Sequence, residues 1–248
     1  MQKCEEFRLE DIDRCAIIIQ ARMSSSRFPG KMMSVVGGLP LIEYVYRRCK
    51  YSLVNKVLVA TSDDKSDDDL CYYCKKKNIP VFRGPLDNVL KRYIQAAEYL
   101  KAKFIGRVCG DTPFIDICML DRFFNLLVRE SFDYVSCRRD DCASLFYSEG
   151  VSLSAMKKTL SLTKDENNRE HVTKFIIDNQ DEFSVKFIDA KLNPCYIKDI
   201  CLTIDLPGDL KTVGGLLDKL EDRFAFSSQD ILHIIKNNRQ NLYKETLA

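Results

Sequence analysis

Residues 17–31 read Ile17-Ile18-Ile19-Gln20-Ala21-Arg22-Met23-Ser24-Ser25-Ser26-Arg27-Phe28-Pro29-Gly30-Lys31. The unbroken aliphatic run has the signature of a buried strand. It empties into a loop that holds three cations (Arg22, Arg27, Lys31), three hydroxyls (Ser24, Ser25, Ser26) and a Pro-Gly turn. Fixed positive charge, hydroxyl donors and exposed backbone N–H groups make a cradle for a polyanion, and a nucleoside triphosphate suits it. The Gly-x-x-x-x-Gly-Lys-Ser/Thr phosphate loop is excluded, because the upstream glycine and the hydroxyl after Lys31 are both missing.

Outward from this loop, strand-like runs recur at Cys15–Gln20, Lys56–Thr61, Ile79–Phe82, Phe104–Val108, Phe132–Cys137, Ser184–Ile188 and Ile200–Ile204. Helix-period segments lie between the earlier ones, at Leu41–Lys50, Asp67–Lys77, Asp87–Ala102 and Ile117–Glu130. Such alternation predicts βαβ units and a largely parallel sheet. Asp67, Asp68 and Asp69 open one of these helices and Lys75, Lys76 and Lys77 close it, so the acidic run complements the helix dipole better than it suits a metal. From about residue 138 to 194 the alternation weakens. The stretch holds a short strand within Ser144–Leu153 and helices near Ser154–Leu162 and Glu170–Asn179, and it reads as an excursion from a single domain spanning residues 1–248. Such an excursion suits substrate covering or subunit pairing. Helices near Gly208–Leu220 and Ser228–Asn238 complete the chain.

Bulk properties narrow the class. With 46% hydrophobic and 30% charged residues the composition is that of a globular protein. A net charge of +2 argues against a nucleic-acid or membrane-surface partner. No run approaches a spanning helix and the N-terminus has no apolar export signal, so a cytoplasmic location is expected. Eleven cysteines then read as reduced thiols. Cys71 and Cys74 are expected on a helix face, and the two histidines, His171 and His233, complete no zinc site at standard spacing.

In a parallel sheet, ligands bind at the carboxyl ends of the strands. Two further loops leave predicted strands there, each with an aspartate and then a proline: Cys109-Gly110-Asp111-Thr112-Pro113 and Thr203-Ile204-Asp205-Leu206-Pro207. Two carboxylates opposite a phosphate loop suit Mg2+, which takes one or two protein carboxylates and completes its shell with water and phosphate. The alternative for each aspartate is a helix cap.

The opening loop, Gly38-Leu-Pro-Leu-Ile-Glu-Tyr-Val, Val59-Ala-Thr-Ser, Gly84-Pro-Leu-Asp-Asn-Val-Leu-Lys-Arg-Tyr93, Arg107-Val-Cys-Gly-Asp-Thr-Pro, Arg169-Glu-His-Val-Thr173 and Leu202-Thr-Ile-Asp-Leu-Pro fall in one order. Together they resemble the cytidylyltransferases that make CMP-activated sugars, from about Cys15 to Leu217. The branch resembled is that of spore coat polysaccharide biosynthesis protein F; enzymes activating 3-deoxy-manno-octulosonate and acylneuraminates lie further off. The resemblance implies a three-layer α/β/α nucleotidyltransferase of the glycosyltransferase-A kind, with a mainly parallel mixed sheet and a protruding dimerisation or substrate segment. It implies Mg2+-dependent transfer of CMP from CTP to a sugar or sugar-acid hydroxyl in polysaccharide biosynthesis, by a homodimer. Carried over by position, Arg22, Lys31, Asp111 and Asp205 would be catalytic, with both aspartates on the metal. Ala21, Arg22, Ser24, Arg27, Lys31, Gly84, Asp87 and Arg107 would bind the nucleotide. Glu149, Arg169, Glu170 and His171 would face the acceptor. Thr112 and Ile117 stand where the branch more often has Cys and Pro, and Tyr147–Leu153 copies its Glu-containing strand poorly.

Three rivals are open: a sugar-phosphate nucleotidyltransferase, a nucleotide-sugar-dependent glycosyltransferase, and a non-catalytic nucleotide-binding subunit. Some residues also have plainer roles available. Arg107 would pair equally well with a buried carboxylate, Asp87 would cap a helix, and Arg92 would be structural or solvated.

Overall fold

The computed structural model of the chain describes residues 9–137, 147–189 and 202–246. In chain order the elements begin α1 (Leu9–Ile12), β1 (Cys15–Gln20), β2 (Val35–Val36), β3 (Leu39–Pro40), α2 (Leu41–Cys49), β4 (Val57–Ser62), α3 (Asp68–Lys76), β5 (Val81–Gly84) and α4 (Val89–Tyr99). They continue as β6 (Phe104–Cys109), α5 (Ile117–Arg129), β7 (Tyr134–Cys137), β8 (Ser148–Ser152), α6 (Leu153–Leu162), α7 (Glu166–Glu170), α8 (Lys174–Asp178), β9 (Val185–Ile188), α9 (Asp209–Leu217) and α10 (Ser228–Thr246).

The aliphatic run of β1 is apolar on both faces because both are covered. Ile17 and Ile19 enter the core formed with α2, α3, α5, α9 and α10, and Ile18 enters the opposite one with α4, α6 and α8. β1 therefore sits inside a seven-stranded sheet of order β5-β4-β1-β6-β8-β7-β9. β5, β4, β1 and β6 are parallel, β8 is antiparallel between β6 and β7, and β9 runs parallel to β7. The result is a three-layer α/β/α fold on a mixed, mostly parallel sheet. Strand order reverses between β1 and β6, and ligands settle beyond such a reversal in open α/β sheets.

Several expectations shift. The stretch read as an excursion returns to the sheet twice: β8 lies between two other strands and β9 forms an edge. β8, Ser-Glu-Gly-Val-Ser with its glutamate buried, lies within the short strand expected at Ser144–Leu153. The helix expected near Glu170–Asn179 is shortened to α8, with α7 ending at Glu170 before it and Val172 and Thr173 buried between the two. Of the strand expected at Ile200–Ile204, the described part is outside the sheet; the Ile204 N–H donates instead to the Asp111 carbonyl, at 2.9 Å. The polar run at residues 138–143 lies outside the described residues. Cys71 and Cys74 are both buried on α3. Among the described residues, no helix is long and apolar enough to cross a membrane.

Two long-range ties hold the frame. Arg48 on α2 is buried, and its guanidinium donates to the carbonyls of Ile115 (3.2 Å), Phe226 (2.7 Å) and Phe224 and stacks 3.8 Å from the Phe226 ring. Burial lowers its pKa. Asp121 on α5, also buried, accepts from the Ser52 hydroxyl at 2.5 Å and the Leu53 N–H at 3.2 Å.

Burial raises the Asp121 carboxyl from 3.8 to about 6, against the opposing effect of those two hydrogen bonds. A pKa raised by folding stabilises the protein below about pH 4, and that contribution is lost as pH rises through 6. At neutral pH the ionised group costs on the order of 3 kcal/mol. Asp121→Asn is therefore expected to gain stability relative to the wild type between pH 4.5 and 7, measured as the difference in melting temperature across that range. A second prediction concerns α5. Gly106 and Gly150 face each other across β6 and β8, and an added Cβ would stand 2.7 Å from the Phe124 ring at Gly106 and 2.9 Å from Leu127 at Gly150. Gly106→Ala is expected to cost about 1–3 kcal/mol, seen as a lower urea midpoint at unchanged slope.

Candidate functional site

Where β1 ends, the chain must turn sharply, and Gly30 makes that possible. It adopts φ +76° and donates to the Met23 carbonyl at 2.9 Å, closing the loop that carries Arg22, Ser24 and Arg27. Ser24 and Arg27 are exposed, Ala21 is buried, and Lys31 turns inward with 7% of its surface accessible. The loop is pinned from below by Asp67. This fully buried carboxylate accepts from the Met23 N–H at 2.6 Å and from the Ser62 N–H at 2.9 Å and hydroxyl at the end of β4. Sequence reasoning assigned Asp67 to a helix dipole; its reach of 44 residues to the loop has no local signature.

Asp111, just beyond β6, and Asp205 converge on one cation. The Lys31 ammonium lies 2.6 Å from Asp111 Oδ2, 3.4 Å from Asp205 Oδ1 and 3.0 Å from the Ile204 carbonyl. Arg27 donates to the same Asp205 oxygen at 2.8 Å. Neither aspartate caps a helix. Asp116 takes that role for α5, accepting from Met119 N–H at 2.9 Å, and Asp209 accepts the N–H groups of Asp205 and Leu206 at the start of α9. Both site carboxylates keep over a quarter of their side-chain surface accessible, at 27% and 29%, so each is open to a ligand.

Arg22 reaches away from this cluster and pairs with Glu170, the last residue of α7, at 2.9 Å. The Gly84–Asp87 loop follows β5 at the same sheet edge. Asp87 is exposed and does not cap α4; Asn88 does, accepting from the Lys91 N–H at 2.8 Å. Behind the loop, Arg92 is fully buried rather than solvated, and it donates to the Pro85 carbonyl at 2.5 Å.

On the β6 side a cavity of about 470 Å3 is lined by Arg107, Cys109, Tyr147, Asn167, His171 and Thr173. Arg107 and Glu149 are register partners on β6 and β8, and their side chains pair at 2.5 Å. Glu149 is completely buried and also accepts from the Tyr134 hydroxyl at 2.5 Å and the Thr173 hydroxyl at 2.8 Å. It thus stands behind the cavity wall, orienting Arg107 and Thr173. The second Arg107 nitrogen donates to the Gln20 side chain at 3.1 Å. Burial would raise the Glu149 carboxyl, but the charge of Arg107 and the hydroxyls of Tyr134 and Tyr147 outweigh it and hold it below the ordinary range. Burial lifts the Cys109 thiol to about 11. His171 is exposed at the cavity rim, and Arg169 is half-buried.

The structure therefore brings Arg27, Lys31, Asp111 and Asp205 together, joins Arg22 to Glu170, and sets Arg107 and His171 on the cavity. Tyr147, Asn167 and Asp67 were missed as site residues. Asn167 and Tyr147 carry no motif, and Glu149 finds Arg107 only once β8 is known to run antiparallel beside β6.

A loop of cations, two convergent carboxylates and an adjoining cavity at the sheet edge are features that suit a nucleotidyltransferase, the class to which the chain's relatives belong. Residues 16–240 match the cytidylyltransferase family, and the chain belongs to it. It is 29% identical over 229 residues to spore coat polysaccharide biosynthesis protein SpsF of Bacillus subtilis, covering 89% of this chain and 93% of that one. A cytidylyltransferase from Leptospira borgpetersenii superposes with a TM-score of 0.84 at 26% identity, over 92% of this chain and 96% of that one. CMP:2-keto-3-deoxy-manno-octonic acid synthetase, solved with CTP, shares the fold with a TM-score of 0.64 at 14% identity, over 83% and 99%.

Removing one partner of a buried ion pair leaves an uncompensated charge, which costs about 3–5 kcal/mol. Glu149→Gln is expected to lose stability of that order at pH 7 by urea unfolding. Folding lowers the Glu149 pKa, so its contribution is present above the unfolded value of about 4.3 and is lost as pH falls. The gap between variant and wild type should accordingly narrow below pH 4.

Proposed function

We propose that the protein transfers CMP from CTP to a hydroxyl of a sugar or sugar acid, releasing pyrophosphate, for a surface polysaccharide or glycoconjugate. The observation that carries this reading is the meeting of Asp111, Asp205 and Lys31 beside Arg27, in a chain of the cytidylyltransferase family. CTP would lie over the loop after β1, with its base toward Gly84–Asp87 and its ribose and phosphates near Ala21 and Ser24.

Arg22, Arg27 and Lys31 would bind the phosphates and stabilise the pyrophosphate as it leaves. Planar guanidinium groups make paired hydrogen bonds to phosphate, which suits two arginines to that task. The acceptor would enter the cavity beside Arg107 and His171, so that its hydroxyl attacks the α-phosphorus in line. Catalysis then rests on positioning and on charges fixed in advance. Asp111 and Asp205 fit Mg2+: both are oxygen donors, both are accessible, and they already gather round one cation. When bound, the ion would neutralise triphosphate charge and lower the pKa of a coordinated hydroxyl.

The cavity favours a hydroxyl acceptor over a sugar phosphate. Arg107 is neutralised by Glu149 and Lys174 pairs with Asp178, which leaves no cluster of unpaired cations for a phosphate monoester among the described lining residues. A cytoplasmic homodimer completes this reading.

The test is pyrophosphate release with each nucleoside triphosphate, with and without candidate sugar acids. Release is expected only with CTP plus an acceptor, and it should fall about 100-fold or more in Asp111→Ala and Asp205→Ala. Native-rate turnover by folded Asp205→Ala would remove the role given to the carboxylates.

A further inference from the structure

Arg22 belongs to the phosphate loop, yet its partner comes from the acceptor side. Glu170 closes α7, and the same short segment places Asn167, His171 and Thr173 on the cavity. The pair is half-exposed, at 36% and 33% of side-chain surface, so it can open without a large desolvation cost. α7 packs on α4, the helix of Arg92. Arg92 is fully buried, and although one of its nitrogens holds the Pro85 carbonyl, Nε and Nη2 have no hydrogen-bond partner among the described residues. A buried guanidinium with two unpaired donors is costly, and an acceptor that reached them would lower that cost. Glu170 and Arg22 are both near enough to Arg92 to act on its charge.

We propose that Glu170 is a positioning residue through which nucleotide binding sets the shape of the acceptor cavity. Its carboxylate and a triphosphate compete for Arg22. A triphosphate that takes Arg22 releases Glu170 toward the unpaired donors of Arg92, and the segment bearing Asn167, His171 and Thr173 moves with it. No bond is made or broken; one ion pair is exchanged for another. The inference rests on the function proposed above, because it needs Arg22 to meet a triphosphate.

The experiment is calorimetric titration of CTP into the full chain without acceptor, for the wild type and Glu170→Gln. It is paired with amide hydrogen exchange over residues 166–174 in the presence and absence of CTP. Glu170→Gln is expected to bind CTP about two- to five-fold more tightly, the fold-change that removal of one half-exposed competing ion pair produces. CTP should alter exchange over 166–174 in the wild type and leave it unaltered in Glu170→Gln. Arg92→Met, whose CTP affinity is free to fall because Arg92 also holds the Pro85 carbonyl beside the proposed base site, should lose the CTP-dependent change at saturating CTP, with its melting temperature as the check on folding. A purely structural role for Glu170 predicts the opposite sign, weaker binding in the variant. Equal or weaker binding by Glu170→Gln overturns the coupling, and so does a CTP-dependent change that survives in it. If CTP binds neither protein, the proposed function fails and takes this inference with it. If the wild type binds CTP and only the variants depart from expectation, the function stands and the coupling alone is lost.

Discussion

The ammonium of Lys31 is the point on which the site turns. An amine that is more than nine-tenths buried needs compensating charge and hydrogen bonds, and here they come from two distant pieces of chain: Asp111 beyond β6, and Ile204 with Asp205 before α9. The requirement acts in both directions. Lys31 is satisfied only if these pieces meet, and the carboxylates can approach each other only because a cation lies between them. The Ile204 N–H on the Asp111 carbonyl, at 2.9 Å, fixes the same contact through the backbone. Loop, sheet and C-terminal half are thereby registered to one another at the place where charge matters for phosphate chemistry.

A second buried pair does comparable work for the cavity. Arg107 and Glu149 are opposite one another in adjacent antiparallel strands, so sheet register alone brings them within reach. The hydroxyls of Tyr134 and Thr173 satisfy Glu149 further, and Thr173 stands between α7 and α8. Both Glu149 oxygens are thus engaged, and the pair has a definite geometry, although the buried Arg107 Nε finds no hydrogen-bond partner among the described residues. The cavity wall is built from the strand interior outward, while His171 and Asn167 line the same cavity from the short α7 segment, which is held by the buried Val172 and Thr173.

The sequence made the central parallel strands plain: Cys15–Gln20, an aliphatic run buried on both faces, was found to the residue, and β4 and β6 to within one residue at each end. The less buried β5 lies two residues beyond the expected Ile79–Phe82. The other half was legible as strands too, β8 inside the one expected at Ser144–Leu153 and β9 inside Ser184–Ile188, but not their order or direction. The break between α7 and α8 hides behind a threonine whose partner is 24 residues away. The site was legible to the same extent. Loop cations announce themselves by type and position, and so does Asp111 just beyond β6, whereas Asp205 was read at the end of a strand whose described part lies outside the sheet. That Asp67 secures the loop, that Arg92 is buried, and that Glu170 meets Arg22 are facts of tertiary contact, which no local spacing encodes.

The stitching of Arg48 gives the last two helices a status that their position in the chain conceals. A guanidinium sealed inside the domain takes two of its acceptors from the Phe224–Phe226 turn and its stacking face from Phe226, so α10 follows a segment that satisfies buried donors of the interior. Trimming the polypeptide after α9 would strand a cation in oil. The tail is therefore an obligate buttress of the catalytic body, not an appendage added to it.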